Sequence, residues 1–391
     1  MKKLTAKSLV KTSLQQSLKG KSGYLTDREI ELAYHQGIIH TPRTLYDSQI
    51  QPVSLDLRLG QKAYRIQSSF LPENETVEKK LKDLKLYEVD LRDGGILEKG
   101  AIYLIPLLEE LDLPTSLFGC TNPKSSTGRL DMFTRVIIDR GHRFDEIAPG
   151  YKGKLYLEVL SRSFPVRVQE GISLNQLRLK QGNAEITDRQ LQTLYKKKPI
   201  LYHKNGGAVE WEKVKADDGL FISVDLQGTN RKNSIVAYKA KANSQVVDLA
   251  KTNHYHADDF WEPVYYSKKH RLILEPESFY IMMSKEKICI WPDLVSEMVA
   301  YEPNSGELRT HYAGFFDPGF GWHPGKGAKS QGTRAVMEVR PHDVPFMIED
   351  GQTFCRMKFE RIISEPTRLY GKQLQSHYHT QELSLSKYFK N

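Results

Sequence analysis

The feature that most constrains this 391-residue chain is that it repeats itself. Leu25-Thr26-Asp27-Arg28-Glu29 recurs as Ile186-Thr187-Asp188-Arg189-Gln190. In both, a threonine stands three residues before Glu or Gln and an apolar-periodic stretch follows, which predicts a capped helix start. Gly37 is a natural stop for the first helix and Pro199 limits the second. Pro52-Val53-Ser54-Leu55-Asp56-Leu57-Arg58-Leu59-Gly60 is then echoed by Phe221-Ile222-Ser223-Val224-Asp225-Leu226-Gln227-Gly228, each alternating apolar and polar residues as half-buried strands do. Ile96-Leu97-Glu98 through Tyr103 matches Ile273-Leu274-Glu275 through Tyr280, Pro149-Gly150-Tyr151 matches Pro318-Gly319-Phe320, and Leu157-Glu158-Val159 matches Met337-Glu338-Val339. The order is kept while the offset drifts, as insertions in loops produce. The expected organisation is a basic tail over 1–22 and two related domains, 23–183 and 184–391. Each opens with a short helix and continues in short strands parted by Gly, Pro, Asn and Asp, which makes the fold mainly β, a sandwich or barrel.

The formal charge of +9 suggests nucleic acid until its distribution is read. Lys2, Lys3, Lys7, Lys11, Lys19 and Lys21 all fall in the first 22 residues with no acid among them, so much of the excess belongs to a solvated tail or a weak anion-attracting arm. No nucleic-acid partner is expected. No apolar run approaches a signal peptide or the roughly 20 residues of a membrane span, so neither membrane insertion nor export is expected and the protein is placed in the cytoplasm. Cys120, Cys289 and Cys355 are far apart and form no CxxC pair, which predicts buried free thiols rather than disulfides or a cysteine zinc site. The pairs His254/His256 and His377/His379 have no third ligand nearby in sequence, and no metal site is assigned to them.

Three constellations can carry chemistry. Lys124-Ser125-Ser126-Thr127-Gly128-Arg129 offers two cations, hydroxyls and backbone donors to phosphate oxygens, although its order is not that of a P-loop and a solvated turn has the same composition. Gly314-Phe315-Phe316-Asp317-Pro318-Gly319-Phe320 reads as a hairpin that presents a carboxylate beside aromatic rings; a purely structural hairpin is its plain alternative. Glu158 and Glu338 each stand alone in an apolar strand, where partial burial raises a carboxyl pKa towards the range useful for proton transfer, or where a paired structural carboxylate sits.

Together these segments resemble the deoxycytidine triphosphate deaminase branch of the trimeric dUTPase-like superfamily, in its longer tandem-domain form. The likeness covers nearly the whole chain, once per half. It implies two tandem distorted jelly-roll β domains and active sites formed where domains meet around a threefold axis. By the same resemblance, Lys124, Ser125, Ser126 and Arg129, with Thr127 and Gly128 between them, handle the triphosphate, and Ser125 and Arg129 also frame the reaction centre. Glu158 and Glu338 correspond to the catalytic glutamate, Asp317 to the sugar-contacting aspartate, and Tyr370, His377 and Gln381 to contacts of a C-terminal segment that closes over the phosphates. Each half departs from the pattern. Lys124 replaces an arginine and loses its bidentate fork, Ala148 stands where the second half has Asp317, and the second loop, Asn304-Ser305-Gly306-Glu307-Leu308-Arg309, gains an acid.

The expected reaction is hydrolysis of dCTP to dUTP and ammonia, feeding thymidylate synthesis, at a composite site that joins the first loop to Asp317. Zinc deaminases carry HxE and CxxC signatures, and this chain has neither, so a carboxylate is expected to activate water without zinc. Mg2+ is expected only as counter-ion of the triphosphate. Alternatives are a bifunctional enzyme that continues to dUMP and pyrophosphate, suggested by Ala313-Gly314, and a non-catalytic dNTP-binding regulator. dUTP or dTTP is a possible product or inhibitor. Threefold clustering predicts a homo-oligomer of three chains or a multiple, and deaminase activity is expected to survive removal of residues 1–22.

Overall fold

A computed structural model describes residues 13–228, 233–300, 308–310, 314–325, 331–371, 378 and 381–390. The chain forms two compact units. The first comprises residues up to 184 together with 245–252 and 361–368; the second comprises 185–244, 253–360 and 369 onward.

In the first unit the helix Asp27–His35 begins as its sequence predicts, with the Thr26 N–H donating to Glu29 Oε2 at 3.0 Å, and Gly37 follows its end at φ +72°. One sheet runs in the order Gly23–Tyr24, Ser173–Gln181, Leu117–Pro123, Glu146–Ile147, with Leu55–Arg58 also on Ser173–Gln181. A second runs Lys85–Asp90, Lys62–Ile66, Ile102–Asp112, Lys152–Ser161, Met132–Ile138, with Ile39–His40 on Ile102–Asp112. Gly95–Leu97 pairs with Val166–Val168, whose other edge takes Val247–Asp248 in parallel.

The second unit repeats this plan, without strands equivalent to Gly23–Tyr24 and Val247–Asp248 among the described residues. Its sheets run Leu220–Ser223, Thr353–Arg361, Leu294–Ala300, Phe315–Phe316 and Trp261–Tyr265, Ile235–Ala240, Tyr280–Ile288, Thr333–Pro341, Leu308–Thr310, with Leu201–Tyr202 on Tyr280–Ile288 and a separate pair Arg271–Leu274 with Phe346–Glu349. Details repeat too: the Tyr103 hydroxyl accepts from the Glu98 N–H at 3.3 Å, and that of Tyr280 from the Glu275 N–H at 3.0 Å. The core lies between the sheets, where residues such as Ile222, Met282, Met337, Cys355 and Met357 are buried. Each such side chain contributes about 1.5–3 kcal/mol of apolar burial. The expectation of a mainly β fold in two tandem domains, each led by a short helix, holds.

Two expectations are corrected. The strand echo that aligned Asp56 with Asp225 is four residues out of register: the ladders superpose Leu55–Arg58 on Leu220–Ser223, because Arg58 faces Ser173 as Ser223 faces Thr353. Gly60, whose N–H donates to Pro106 O, is then equivalent to Asp225, whose N–H donates to Met283 O. A slip by an even number of residues keeps every side chain on its face, so alternation cannot detect it. The basic tail is also not wholly a solvated arm. Residues 1–12 lie outside the described ones, but Leu14–Leu18 is a helix with a Ser13/Gln16 capping box, and Leu14 and Leu18 are buried. The Leu14 N–H donates to Gln36 Oε1 at 3.1 Å, and Gln181 Nε2 donates to Leu18 O at 2.8 Å.

Candidate active site

In the first unit the loop expected to hold phosphate begins where the strand Leu117–Pro123 ends. Lys124 is extended, Ser125–Gly128 make one helical turn, and the N–H groups of Thr127 and Gly128 donate back to Lys124 O at 2.8 and 3.0 Å. The Lys124 N–H ties the loop to Leu174 O at 3.0 Å. Lys124 is half-buried and Ser125 exposed, while Ser126, Thr127, Gly128 and Arg129 are buried. The Lys124 ammonium is ion-paired with the Asp56 carboxylate, a partner the residue pattern did not announce.

Glu158 sits in mid-strand, opposite Leu104 on one side and Arg135 on the other. Arg135 Nε donates to Glu158 Oε1 at 3.0 Å, its Nη2 donates to Ser69 Oγ at 2.8 Å, and the guanidinium carbon lies 3.6 Å from the centre of the Phe144 ring. Glu158 is only 2% exposed, and its Oε2 is buried without a hydrogen-bond partner. Asp145 adjoins this pair. Its Oδ1 accepts from Thr121 Oγ1 at 2.6 Å and from the Val136 N–H at 2.8 Å, yet burial dominates and pushes its carboxyl up to about 7.

The second unit holds the other predicted elements. Phe315–Phe316 lead into the Asp317-Pro318-Gly319 turn, closed by the Phe320 N–H donating to Asp317 O at 3.1 Å. Gly319 has φ +95°, and a Cβ there would meet Tyr370 O at 3.0 Å, so the close approach of the C-terminal segment needs glycine. The Tyr370 N–H donates to Pro318 O at 2.9 Å and its ring lies 5.6 Å from that of Phe320. Asp317 and Tyr370 thus share one turn. Glu338 is buried in mid-strand opposite Ile281, the place that Glu158 takes opposite Leu104. The C-terminal segment returns to this strand: Gln381 Nε2 donates to Arg334 O at 2.9 Å, and Thr333 Oγ1 donates to Gln381 O at 3.1 Å. Gln381 therefore lies on the strand of Glu338. Arg334 Nη1 donates to Asp225 Oδ2 at 2.6 Å; burial works to raise the Asp225 carboxyl, but the Arg334 charge and the Gln227 N–H outweigh it and hold it below its ordinary value. His377 and residues 303–307 lie outside the described residues, and Leu308–Thr310 form a strand.

A cavity of about 520 Å³ in the second unit is lined by Tyr202, Lys204, Phe221, Ser223, Lys285 and Glu286 among others, and by none of the predicted site residues. The repeat explains it. In the first unit the equivalent of Ser223 is Arg58, whose guanidinium fills this place with bonds to Glu109 Oε1 at 2.7 Å, Thr41 Oγ1 at 2.7 Å and Arg43 O at 2.9 Å. Ser223 is shorter, and donates only its N–H and hydroxyl to Glu286, at 3.0 and 2.6 Å. The three cysteines are free; Cys289 and Cys355 are buried, and burial pushes the Cys289 thiol up to about 12. Among the described residues no three His, Cys, Asp or Glu side chains cluster as metal ligands, and no helix is long and apolar enough to cross a membrane.

Models of the two domains of 2'-deoxycytidine 5'-triphosphate deaminase match this chain, the N-terminal one over residues 21–183 and the C-terminal one over 187–389. The chain belongs to the dCTP deaminase family. It is accordingly an enzyme of the hydrolytic deaminase class. The crystal structure of 2'-deoxycytidine 5'-triphosphate deaminase from Agrobacterium tumefaciens is similar over 87% of this chain and 99% of its own, with 41% identity and a TM-score of 0.81. A dCTP deaminase of Shewanella amazonensis is 32% identical over 163 residues, 39% of this chain and 80% of its own. A protein of Nanoarchaeum equitans named dCTP deaminase, dUMP-forming, is 30% identical over 207 residues, 48% of this chain and 96% of its own. Each of these two dCTP deaminases thus aligns with less than half of the tandem chain.

Proposed function

We propose that the protein hydrolyses dCTP to dUTP and ammonia, with Glu338 as the base that activates water. The observation that carries the choice of glutamate is the Arg135–Glu158 pair. One oxygen of Glu158 is held by a guanidinium and the other is sealed from water, so it is poorly disposed to take a proton from water. Glu338 shares its unit with Asp317, Tyr370 and Gln381. The first unit supplies what the second lacks, the cationic loop Lys124–Arg129. The two half-sets are complementary in content, which supports a composite site in an assembly of three chains or a multiple.

In this reading Glu338 takes a proton from water as the oxygen adds to C4 of the cytosine, and returns it to the ring nitrogen. The remaining proton of the added hydroxyl then passes to the exocyclic amine as the bond from C4 to that amine breaks, which releases ammonia and leaves the carbonyl of uracil. Ser125 and Arg129 hold the water and the developing charge, Asp317 accepts a sugar hydroxyl, and Lys124, Ser126 and the segment with Tyr370, His377 and Gln381 hold the triphosphate. The absence of HxE and CxxC signatures supports water activation without zinc, with Mg2+ as counter-ion of the substrate only. A second reading adds hydrolysis of dUTP to dUMP and pyrophosphate, favoured by Ala313-Gly314 and by relatives named dUMP-forming.

The test is incubation with each dNTP, with ammonia measured and products separated. Ammonia from dCTP alone is expected, with dUTP or dUMP deciding between the two readings; no ammonia refutes both. E338Q should lower kcat by roughly 100-fold or more while E158Q keeps it within a few-fold. The reverse pattern would move the base to Glu158.

A further inference from the structure

A row of buried polar side chains crosses the first unit's sheet beside the Lys124 loop. The ladder sets Asp56 opposite Gln176, and Gln176 opposite Asn122, so the three share one face across three adjacent strands. They are 6%, 8% and 5% exposed. The neighbouring pair, Leu55 opposite Leu177, points to the other face of the sheet. Lys124, two residues beyond Asn122, brings its ammonium back to Asp56 Oδ2. The other carboxylate oxygen, Oδ1, is buried with no hydrogen-bond partner.

The repeat provides an internal control. In the second unit the position of Asp56 is taken by Phe221, opposite Arg356 as Asp56 is opposite Gln176. The same ladder therefore forms in the second unit without the acid. At this ladder position a nearly buried carboxylate with an unmet acceptor stands only in the unit that carries the cationic loop. That loop has a lysine, a point charge on a flexible stem, where an arginine would bring its own planar fork.

We propose that Asp56 is a positioning residue for Lys124: it fixes the ammonium at the loop so that its remaining donors point to an incoming phosphate oxygen. The proposal rests on reading 124–129 as the triphosphate loop. Asp56 touches no reacting atom and acts through Lys124. Its charge alone would repel a triphosphate, so positioning and simple electrostatics predict opposite signs when the charge is removed.

The experiment is a double-mutant cycle of D56N and K124A, read by steady-state kinetics on dCTP and by calorimetric titration of dCTP. D56N should raise KM and the dissociation constant about 5–10-fold with kcat within twofold, and should add nothing in the K124A background. K124R should restore most of the loss caused by D56N, because its fork needs less positioning. If D56N fails to fold, D56S is measured in the same cycle. A lowered or unchanged KM, or an equal effect with and without Lys124, overturns the proposal. Wild-type protein that binds dCTP but releases no ammonia would refute the deaminase reading and leave the titration to decide this one.

Discussion

Asp145 is a buried acid of the first unit whose charge state is set by its surroundings. Burial lifts its carboxyl from 3.8 to about 7, so between these values the folded chain holds a proton that the unfolded chain has released. The stability this brings is complete at acid pH and is lost as pH rises through 7, since stability falls with pH wherever the native state binds more protons. The melting temperature should therefore fall between pH 5 and 8, and D145N should flatten that slope; equal slopes in both proteins would dismiss the buried acid. Arg135 makes the complementary case. R135M leaves Glu158 buried without its cation and should cost about 3 kcal/mol in urea unfolding, the lower end for a broken buried pair because Arg135 is 23% exposed. Neither Arg135 nor Asp56 was legible as a functional neighbour in the sequence. Glu158 and Glu338 were, because each is a lone acid in an apolar run and both repeats carry one. Arg135 lies 23 residues from Glu158 and Asp56 lies 68 from Lys124, and only strand pairing brings them together.

Among the elements, the N-terminal helix changes an expectation about truncation. Leu14 and Leu18 are 2% and 4% exposed, and burial of each contributes about 2 kcal/mol. Deleting residues 1–22 should then lower the melting temperature clearly, whatever happens to turnover; an unchanged melt would show that the helix adds nothing. The Leu220–Ser223 strand offers a test in the opposite direction. Its repeat partner carries Arg58 where it carries Ser223, with a cavity and Glu286 left facing the gap. S223R should fill that gap, pair with Glu286 and raise the melting temperature by about 2–4 °C, a gain of roughly 1 kcal/mol for a unit of this size. A lower melt would show that the cavity is closed to an arginine. The helix starts at Thr26 and Thr187 were readable because a capping box is a local pattern of four residues. The strand register around Asp56 was not, because its hydrophobic alternation survives a four-residue slip unchanged.

At the scale of the whole molecule, the proposed composite site carries the prediction of assembly. Light scattering in solution should give three times the chain mass or a multiple of it, and a monomer with full activity would remove the reason for a threefold site. The chain is also interlaced within its first unit, where segments from late in the sequence dock. The Thr367 N–H donates to Asp27 Oδ1 at 2.9 Å, and Arg368 donates to Glu31 and Asp47 at 2.7 and 2.8 Å. By itself the sequence determined that one β unit is written twice, where its cationic loop, its Asp-Pro-Gly turn and its glutamates lie, and that the two halves differ at the loop and at the turn. These are local patterns and matches along one dimension, and they need no partner to be read. Only the tertiary structure decided that Arg135 claims Glu158, that Asp56 holds Lys124 and that Arg58 fills what Ser223 leaves open. Charge pairing and packing depend on which strands become neighbours and in what register, and hydrogen-bonded ladders between distant segments set both.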